Sequence, residues 1–357
     1  MLRSVVLDEE DLLLVEALQR DPRAPWTAVA EVVGTNAVTA SRRWERLRST
    51  GAVWVTGVPG PGSHHAQCLA YVDVTCVPSA RTWVAQELAG DAHALSVDIT
   101  AGSSDLLLTV AAVDLRTLGR YLLERLDRVP GVTGTRARIA TRLHAEGSLW
   151  RLGMLPPAGA GHLADLGPRA GSGPFPAAGA LVLDGVDRDL MSAMGADGRA
   201  SYATLAQVAG TSQPTARRRV DRLITSGSVL LRTEIAAPLA GWPVSVVLSA
   251  DAPAGRLDDV AATLGRLRQV RLCATLASTP SLVLVAWLSS LAEVHRFEQG
   301  LVQRVPDLRV LDRLVVLRAV KRMGHLLDEQ GRAVGVVPMD VWCDPVQGRD
   351  QPSGVVP

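Results

Sequence analysis

Residues 39–53, TASRRWERLRSTGAV, return as residues 215–229, TARRRVDRLITSGSV. The offset is 176 residues, and it extends well beyond this stretch. Leu7-Asp8 returns as Leu183-Asp184, Arg23-Ala24 as Arg199-Ala200, Gly34-Thr35 as Gly210-Thr211 and Gly51 as Gly227. Far downstream it aligns Arg128-Val129-Pro130 with Arg304-Val305-Pro306. From residue 7 to residue 53, about 20 of roughly 47 positions are identical. Two long copies point to a tandem duplication and not to a solenoid, which stacks many short ones. Whatever one copy folds into, the 357-residue chain must hold twice.

Each copy has two parts. The first, near 5–57 and 181–233, is helical. Asp8-x-x-Asp11 and Asp184-x-x-Asp187 predict helix starts, with an acidic side chain capping the first turn. Apolar residues follow at helical spacing, at Leu14, Ala17 and Leu18 and again at Leu190, Ala193 and Met194. A second short helix is expected over Thr27–Val33 and Tyr202–Ala209, with Ser201 capping the latter. Gly34 and Gly210 stand just past its end, where a left-handed residue closes a helix. A third helix begins near Ala37 and Gln213 and stops before Gly51 and Gly227. Two short helices joined by a tight glycine turn form a helix-turn-helix. The runs Val53–Val58 and Val229–Ile235 read as a following strand or wing.

The second part, near 66–145 and 242–320, changes period. CLAYVDVTCV, ALSVDITAG, DLLLTVAAV and GTRARIATRL read as strands, and RTWVAQELAG and LRTLGRYLLERLDRVPGV as helices. The order is βαββαβ, a ferredoxin-like layout. VSVVLSAD, RLDDVAATLGRL, VRLCATLA, SLVLVAWLS, LAEVHRFEQGLVQRVP and LRVLDRLVVLR repeat it. The fold class is therefore α+β, two tandem units each with a winged helix-turn-helix and a βαββαβ domain. The expected boundaries are 1–60 and 66–150 for the first copy and 181–236 and 242–325 for the second. A Gly/Pro/Ala-rich linker is expected over 151–180, and a tail poor in pattern over 326–357.

Composition narrows the function. Lys+Arg of 37 against Asp+Glu of 36 leaves a net charge of +1, so any nucleic-acid role must come from local patches. Lys321 is the single lysine. The four cysteines, Cys68, Cys76, Cys273 and Cys343, form no C-x-x-C pair and indicate neither a zinc site nor a disulfide framework. The N-terminus lacks the apolar core of a signal peptide, and SLVLVAWLSSL is too short to span a bilayer. These features fit a reducing cytoplasm.

The local patch is the third helix. Thr39, Arg42, Arg43 and Arg46 share one face, and Ala40, Trp44 and Leu47 another. The second copy repeats this with Thr215, Arg218, Arg219, Arg222 and with Ala216, Val220, Leu223. A helix that packs by one stripe and offers guanidinium groups on the other fits the major groove of double-stranded DNA. Asn36, Val38, Thr39 and Ser41 would meet base edges in the first copy, and Ser212, Gln213, Thr215 and Arg217 in the second, with arginines on phosphates. An arginine-rich face is also an ordinary solvated surface; its recurrence behind the same Gly-Thr turn weighs toward DNA. His64-His65-x-x-Cys68 has no matching ligand set in the second copy and reads as a solvated loop. His93 and His144 are isolated, and no nucleophile elbow, P-loop or dinucleotide fingerprint is found. No cofactor, metal or catalytic residue is expected.

These motifs together resemble the leucine-responsive regulatory protein/AsnC family of bacterial transcription regulators. They are Leu-Asp-x-x-Asp at 7–11 and 183–187, Asp-x-Arg at 21–23 and 197–199, and Gly-Thr through the arginine helix to Gly-x-Val at 34–53 and 210–229. The resemblance covers nearly the whole chain apart from the linker and tail. It departs from the family in carrying two units where a typical member carries one. It implies a ligand-sensing RAM domain in the βαββαβ part, dimerisation through that domain, and a covalent pseudo-dimer able to assemble further. It also implies an effector site at a Gly-x-x-Asp turn, matched here by Gly102-Ser103-Ser104-Asp105, whose backbone amides take a carboxylate while Asp105 meets an ammonium group, as of an amino acid. The second copy has Ser278-Thr279-Pro280-Ser281 and has lost both the Gly and the Asp, which implies at most one competent site per chain. The same four residues also make a plain hairpin turn. Two other functions stay open: a sirohaem decarboxylase-like enzyme on the same scaffold, and an architectural DNA-binding protein without effector. Against the enzyme, SVDITAGSSDLLLTV lacks the histidine and arginine that its pocket would need.

Overall fold

The offset between the copies reappears in space as an exchange of strands. The computed structural model describes residues 6–60, 67–155 and 181–346. The chain divides into two units, and the division does not follow the copies. One unit holds both helix-turn-helix parts, in 1–65 and 151–240 with the short piece 332–334. The other holds both βαββαβ parts, in 66–150 and 241–331 with 335–357. The four separately bounded domains expected from the sequence thus group two by two.

In the first unit, α1 (Glu9–Arg20), α2 (Trp26–Val33) and α3 (Ala37–Ser49) form one head. In the second copy, α6 (Gly185–Ala196), α7 (Tyr202–Val208) and α8 (Gln213–Thr225) form the other. Both first helices start on the expected reciprocal cap, Asp8 with Asp11 and Asp184 with Asp187. Gly34 at φ 79° and Gly210 at φ 59° make the left-handed turns. Leu14, Leu18, Trp44 and Leu47 close the first core, and Leu190, Met194, Val220 and Leu223 the second.

The wing strands are the first departure. β1 (Val53–Pro59) and β6 (Val229–Ile235) pair antiparallel with each other, Val53 opposite Ile235 and Pro59 opposite Val229. The ribbon is symmetric about Thr56 and Arg232, which are equivalent positions of the two copies. Each strand also lies on the first helix of the other copy. Thr56 Oγ1 donates to the Gly195 carbonyl at 2.8 Å, and Thr233 Oγ1 to the Leu18 carbonyl at 2.6 Å. Arg23 and Arg199 reciprocate the tie. Arg23 donates to the carbonyls of Gly198 and Ala200, and Arg199 to those of Pro22 and Ala24. Each guanidinium caps an aromatic ring of the other copy, Arg23 over Tyr202 at 4.8 Å and Arg199 over Trp26 at 4.1 Å.

The second unit contains β2 (Cys68–Cys76), α4 (Arg81–Ala89), β3 (Ala94–Ala101), β4 (Leu106–Ala112), α5 (Leu115–Arg120) and β5 (Val132–Ala145). The second copy gives β7 (Val244–Asp251), α9 (Leu257–Gly265), β8 (Val270–Leu276), β9 (Leu282–Leu288), α10 (Glu293–Arg304) and β10 (Arg309–Arg322). Both orders are the expected βαββαβ. The long last strand of each copy pairs first with its own sheet, then crosses to the other: β5 runs from β2 to β8, and β10 from β7 to β3. The eight strands therefore close into a ring. Even the irregularities of the two crossings match: Ala140↔Leu276 and Arg142↔Thr275 correspond to Val316↔Thr100 and Arg318↔Ile99. Side chains alternate across this ring. Val72, Val74, Val97, Leu106 and Leu108 pack under α4 and α5, and Val246, Leu248, Leu282 and Leu284 under α9 and α10. Tyr71, Leu107, Val247, Val283 and Leu314 fill the space between the two sheets.

Three further expectations need correction. The single amphipathic helix expected over 115–132 runs from Leu115 only to Arg128, widening to a π-type turn over Tyr121–Arg125 and tightening over Leu126–Arg128. Both Tyr121 and Arg125 turn inward there, onto Asp91. The tail expected to lack pattern continues into β11 (His325–Leu327) and β12 (Ala333–Val336) and buries Met339 and Val341. Spaced apolar residues that match neither helical nor strand period had hidden this. The stretch expected as linker starts ordered: the Leu152 amide donates to Gln19 at 3.0 Å, and the Leu155 amide to Glu16 at 3.0 Å. Residues 156–180, with His64 and His65, lie outside the described residues.

Candidate nucleic-acid interface and effector turn

The third helix of each head starts on a side-chain cap. Asn36 accepts from the Thr39 amide at 2.8 Å, and Ser212 from the Thr215 amide at 3.4 Å. Both residues were expected at base edges, and both already serve their own helix. Beside them, Val38 is 78% exposed. Gln213, Arg217 and Arg218 are exposed, as is Arg42, while Thr39, Ser41 and Thr215 are half-buried.

The arginine stripe does not act as one face. Arg43 donates to Asp8 at 2.9 Å and Asp11 at 3.0 Å, and also meets Glu10. Arg46 reaches both oxygens of Asp11, at 2.6 and 2.7 Å. The second copy repeats this: Arg219 meets Asp184 at 2.8 Å and Asp187 at 2.9 Å, and Arg222 meets Asp187 at 2.6 Å. Asp11 and Asp187 are almost fully buried, and a buried carboxylate needs such partners. Arg43, Arg46, Arg219 and Arg222 therefore brace the recognition helix on the capping box of the first helix. The Asp187 amide, then the Arg219 guanidinium, hold the Asp184 carboxyl below its ordinary range. Arg42 and Arg218 have no carboxylate partner among the described residues and stay exposed. Sequence spacing placed all these arginines on one stripe correctly. It could not show that the acidic cap, more than thirty residues upstream, folds beneath half of it.

The effector turn lies between β3 and β4. Gly102 has φ 141°, and a Cβ there would stand 2.7 Å from the Arg313 carbonyl, so both conformation and space exclude a side chain. Ser103 Oγ donates to Asp312. Ser104 is buried, and its Oγ has no hydrogen-bond partner among the described residues. Asp105 accepts from the Cys76 amide at 2.8 Å and pairs with Arg81. In the second copy the equivalent Ser281 Oγ accepts from the Ala252 amide at 3.4 Å, and Leu257 replaces Arg81. The two copies therefore share a turn-bridging hydrogen bond, and the first adds a charge pair. Arg81 is the residue that sequence reasoning missed. Only the sheet brings the start of α4 to this turn.

Comparison with known proteins agrees with this architecture. The model of the AsnC-type helix-turn-helix domain matches residues 7–48 and 183–224, and that of the Lrp/AsnC ligand binding domain matches residues 69–149. The chain carries two AsnC-type helix-turn-helix domains and, in its first copy, an Lrp/AsnC ligand binding domain. Among curated proteins it is similar to the HTH-type transcriptional regulator FL11 of Pyrococcus horikoshii, 27% identical over 143 residues, which span 40% of this chain and 94% of that protein. It is also similar to the HTH-type transcriptional regulator AldR of Mycolicibacterium smegmatis, 29% identical over 138 residues, 37% of this chain and 80% of that protein. Each match is shorter than one repeat. Among solved structures, the siroheme decarboxylase NirDL superposes with a TM-score of 0.58 over 88% of this chain and 93% of its own, at 13% identity. At that identity the likeness is one of fold. No helix among the described residues is long and apolar enough to cross a membrane.

Proposed function

We propose that this tandem Lrp/AsnC chain is a sequence-specific, DNA-binding transcription regulator whose sensing unit takes a small-molecule effector, and that it is not an enzyme. The observation that supports this best is the pair of matched helix-turn-helix heads. Each offers an exposed recognition-helix N-terminus and an outward guanidinium, at Arg42 and at Arg217 and Arg218. The DNA-contacting set is Val38, Thr39, Ser41 and Arg42 in the first head and Gln213, Thr215, Arg217 and Arg218 in the second. Asn36 and Ser212 cap, while Arg43, Arg46, Arg219 and Arg222 brace and lend their remaining charge to the phosphates.

One chain with two heads raises the local concentration of the second once the first has bound. The heads differ in sequence, NAVTAS against SQPTAR, so the operator is an imperfect palindrome. The effector is amino-acid-like and sits at Gly102–Asp105, where the buried Ser104 hydroxyl and the Arg81–Asp105 pair supply polar groups. The reading places the protein in the cytoplasm, with further self-association through the sensing unit. The test is a mobility shift on DNA upstream of its own gene, across salt and with amino acids added. Affinity falls steeply with salt in this reading; salt-insensitive binding, or none, would overturn it. Haem-like absorption of the purified protein would favour the enzyme instead.

A further inference from the structure

We infer that the second copy holds a separate binding site for a small monocarboxylate with an apolar body. The site is a cavity of about 230 Å³ between α10 and the loop that enters β8. Leu267, Leu288, Phe297 and Leu301 form its walls, and Arg296 and Arg304 stand at it with Glu293. Two guanidinium groups against one carboxylate leave a positive balance beside an apolar wall in a half-open cavity that Gln269 also lines, which suits a single anion carried on hydrocarbon.

The first copy shows what this place is built to hold. There the positions that open the cavity are filled by a polar cluster. Phe297, Leu301, Leu267 and Gly300 correspond to Tyr121, Arg125, Asp91 and Glu124. Tyr121 and Arg125 both bond Asp91, at 3.1 Å each, within the core. Over this cluster lies the chain's own C-terminal segment, held by His93, whose Nε2 lies 3.1 Å from the Cys343 carbonyl, and at three further points. The Val113 amide donates to the Val341 carbonyl at 2.9 Å, the Asp340 amide to the Ala92 carbonyl at 3.4 Å, and Arg120 to the Asp344 carboxylate at 2.9 Å.

In the second copy the groups equivalent to two of these three anchors are satisfied elsewhere, one by its own Glu293 and one by Trp150 of the first copy. The Ser289 amide, equivalent to Val113, donates to Glu293 at 2.9 Å. The Arg268 carbonyl, equivalent to Ala92, accepts from Trp150 Nε1 at 2.8 Å. The third is different. Arg296, equivalent to Arg120, is exposed and has no carboxylate within salt-bridge distance among the described residues. Arg304 bends back onto the Gly300 carbonyl at 3.1 Å, beside the space that Glu124 fills in the first copy. The duplication thus kept the carboxylate-binding arginine, removed the side chains beneath it, and lined the space with apolar groups. This site is distinct from the Gly102–Asp105 turn, and its occupancy does not depend on DNA binding.

The experiment is calorimetry and ligand-observed NMR on the full chain, with phenylacetate as probe and neutral phenylacetamide beside it. Phenylacetate binds with Kd on the order of 1 mM or tighter, a modest demand for about ten heavy atoms, and phenylacetamide binds at least about tenfold more weakly. Arg296→Gln weakens phenylacetate about tenfold or more. Gly300→Glu, which installs the first copy's residue beside Arg296, abolishes binding. Far-UV circular dichroism reports the folding of both variants, and Arg296→Gln alone decides the matter if Gly300→Glu does not fold. The proposal is overturned if phenylacetate does not bind, if the amide binds as tightly as the acid, or if the folded variants bind like the parent.

Discussion

Lys321, the single lysine, is fully buried and donates to the Asp91 carbonyl at 2.8 Å. Burial pushes its ammonium down to about 7, against the pull of the Asp91 charge. In the unfolded chain the same group titrates near 10.4, as an ordinary lysine about does. Between about pH 7 and about pH 10 the unfolded chain therefore binds more protons, and stability rises with pH across that window. Below about pH 7 both states carry the proton, and the cost of burying it is constant. Lys321→Met flattens this limb. Urea midpoints of parent and variant, measured from about pH 6 to about pH 9, check it; parallel curves would refute the assignment. The sequence shows a solitary lysine in an apolar strand but not its neighbours. Asp91 lies 230 residues away, and only the crossing of β10 onto β3 brings the two together.

At the scale of the element, the proposed function divides the arginines of each third helix between two tasks, and variants separate them. Replacing the outward Arg217 and Arg218 by alanine leaves stability within about 0.5 kcal/mol and lowers the salt slope of DNA binding by about two. Replacing Asp187 by alanine takes from Arg222 its carboxylate, leaves Arg219 with Asp184 alone, and costs about 2 kcal/mol of head stability through the lost charged hydrogen bonds. Denaturant titration and salt-dependent binding, run on both variants, check the division. An Asp187 variant as stable as the parent would sink it. Much of these elements was legible in the sequence. The capping boxes, the Gly turns and the period change from helix to strand are local signals, and each element stands within a few residues of its expected place. The widened turn over Tyr121–Arg125 was not legible, because the Asp91 that both side chains bond there is thirty or more residues away.

At the scale of the whole molecule, the duplication is two pairs of exchanged parts. β1 needs β6, β5 needs β8, and β10 needs β3. One copy alone exposes the unpaired edges of these strands, which are templates for association. Residues 1–180 expressed by themselves therefore self-associate into a dimer that rebuilds the ring and ribbon, or aggregate. Light scattering on a sizing column reads this directly, and a folded, stable monomer would contradict it. Fusion also frees the two copies to diverge. The buried Asp91–Tyr121–Arg125 cluster of the first copy has become Leu267, Phe297 and Leu301 in the second, a joint exchange of polar groups for apolar ones that keeps the core satisfied. The Arg81–Asp105 pair has likewise become Leu257 and Ser281.

The amino-acid sequence by itself determined the repeat, the order of elements in each copy, the caps and turns that bound them, and the stripe on which the arginines lie. These follow from spacing and local chemistry, which act over one or two turns of chain. Tertiary structure decided which strands pair across the copies, which arginines face inward, and where Arg81 and Lys321 find their partners. Those contacts join residues up to 230 positions apart, and no local period records such a distance. A wing strand can fold back on its own head or pair with the other wing; burial of both against the opposite first helix settles the choice.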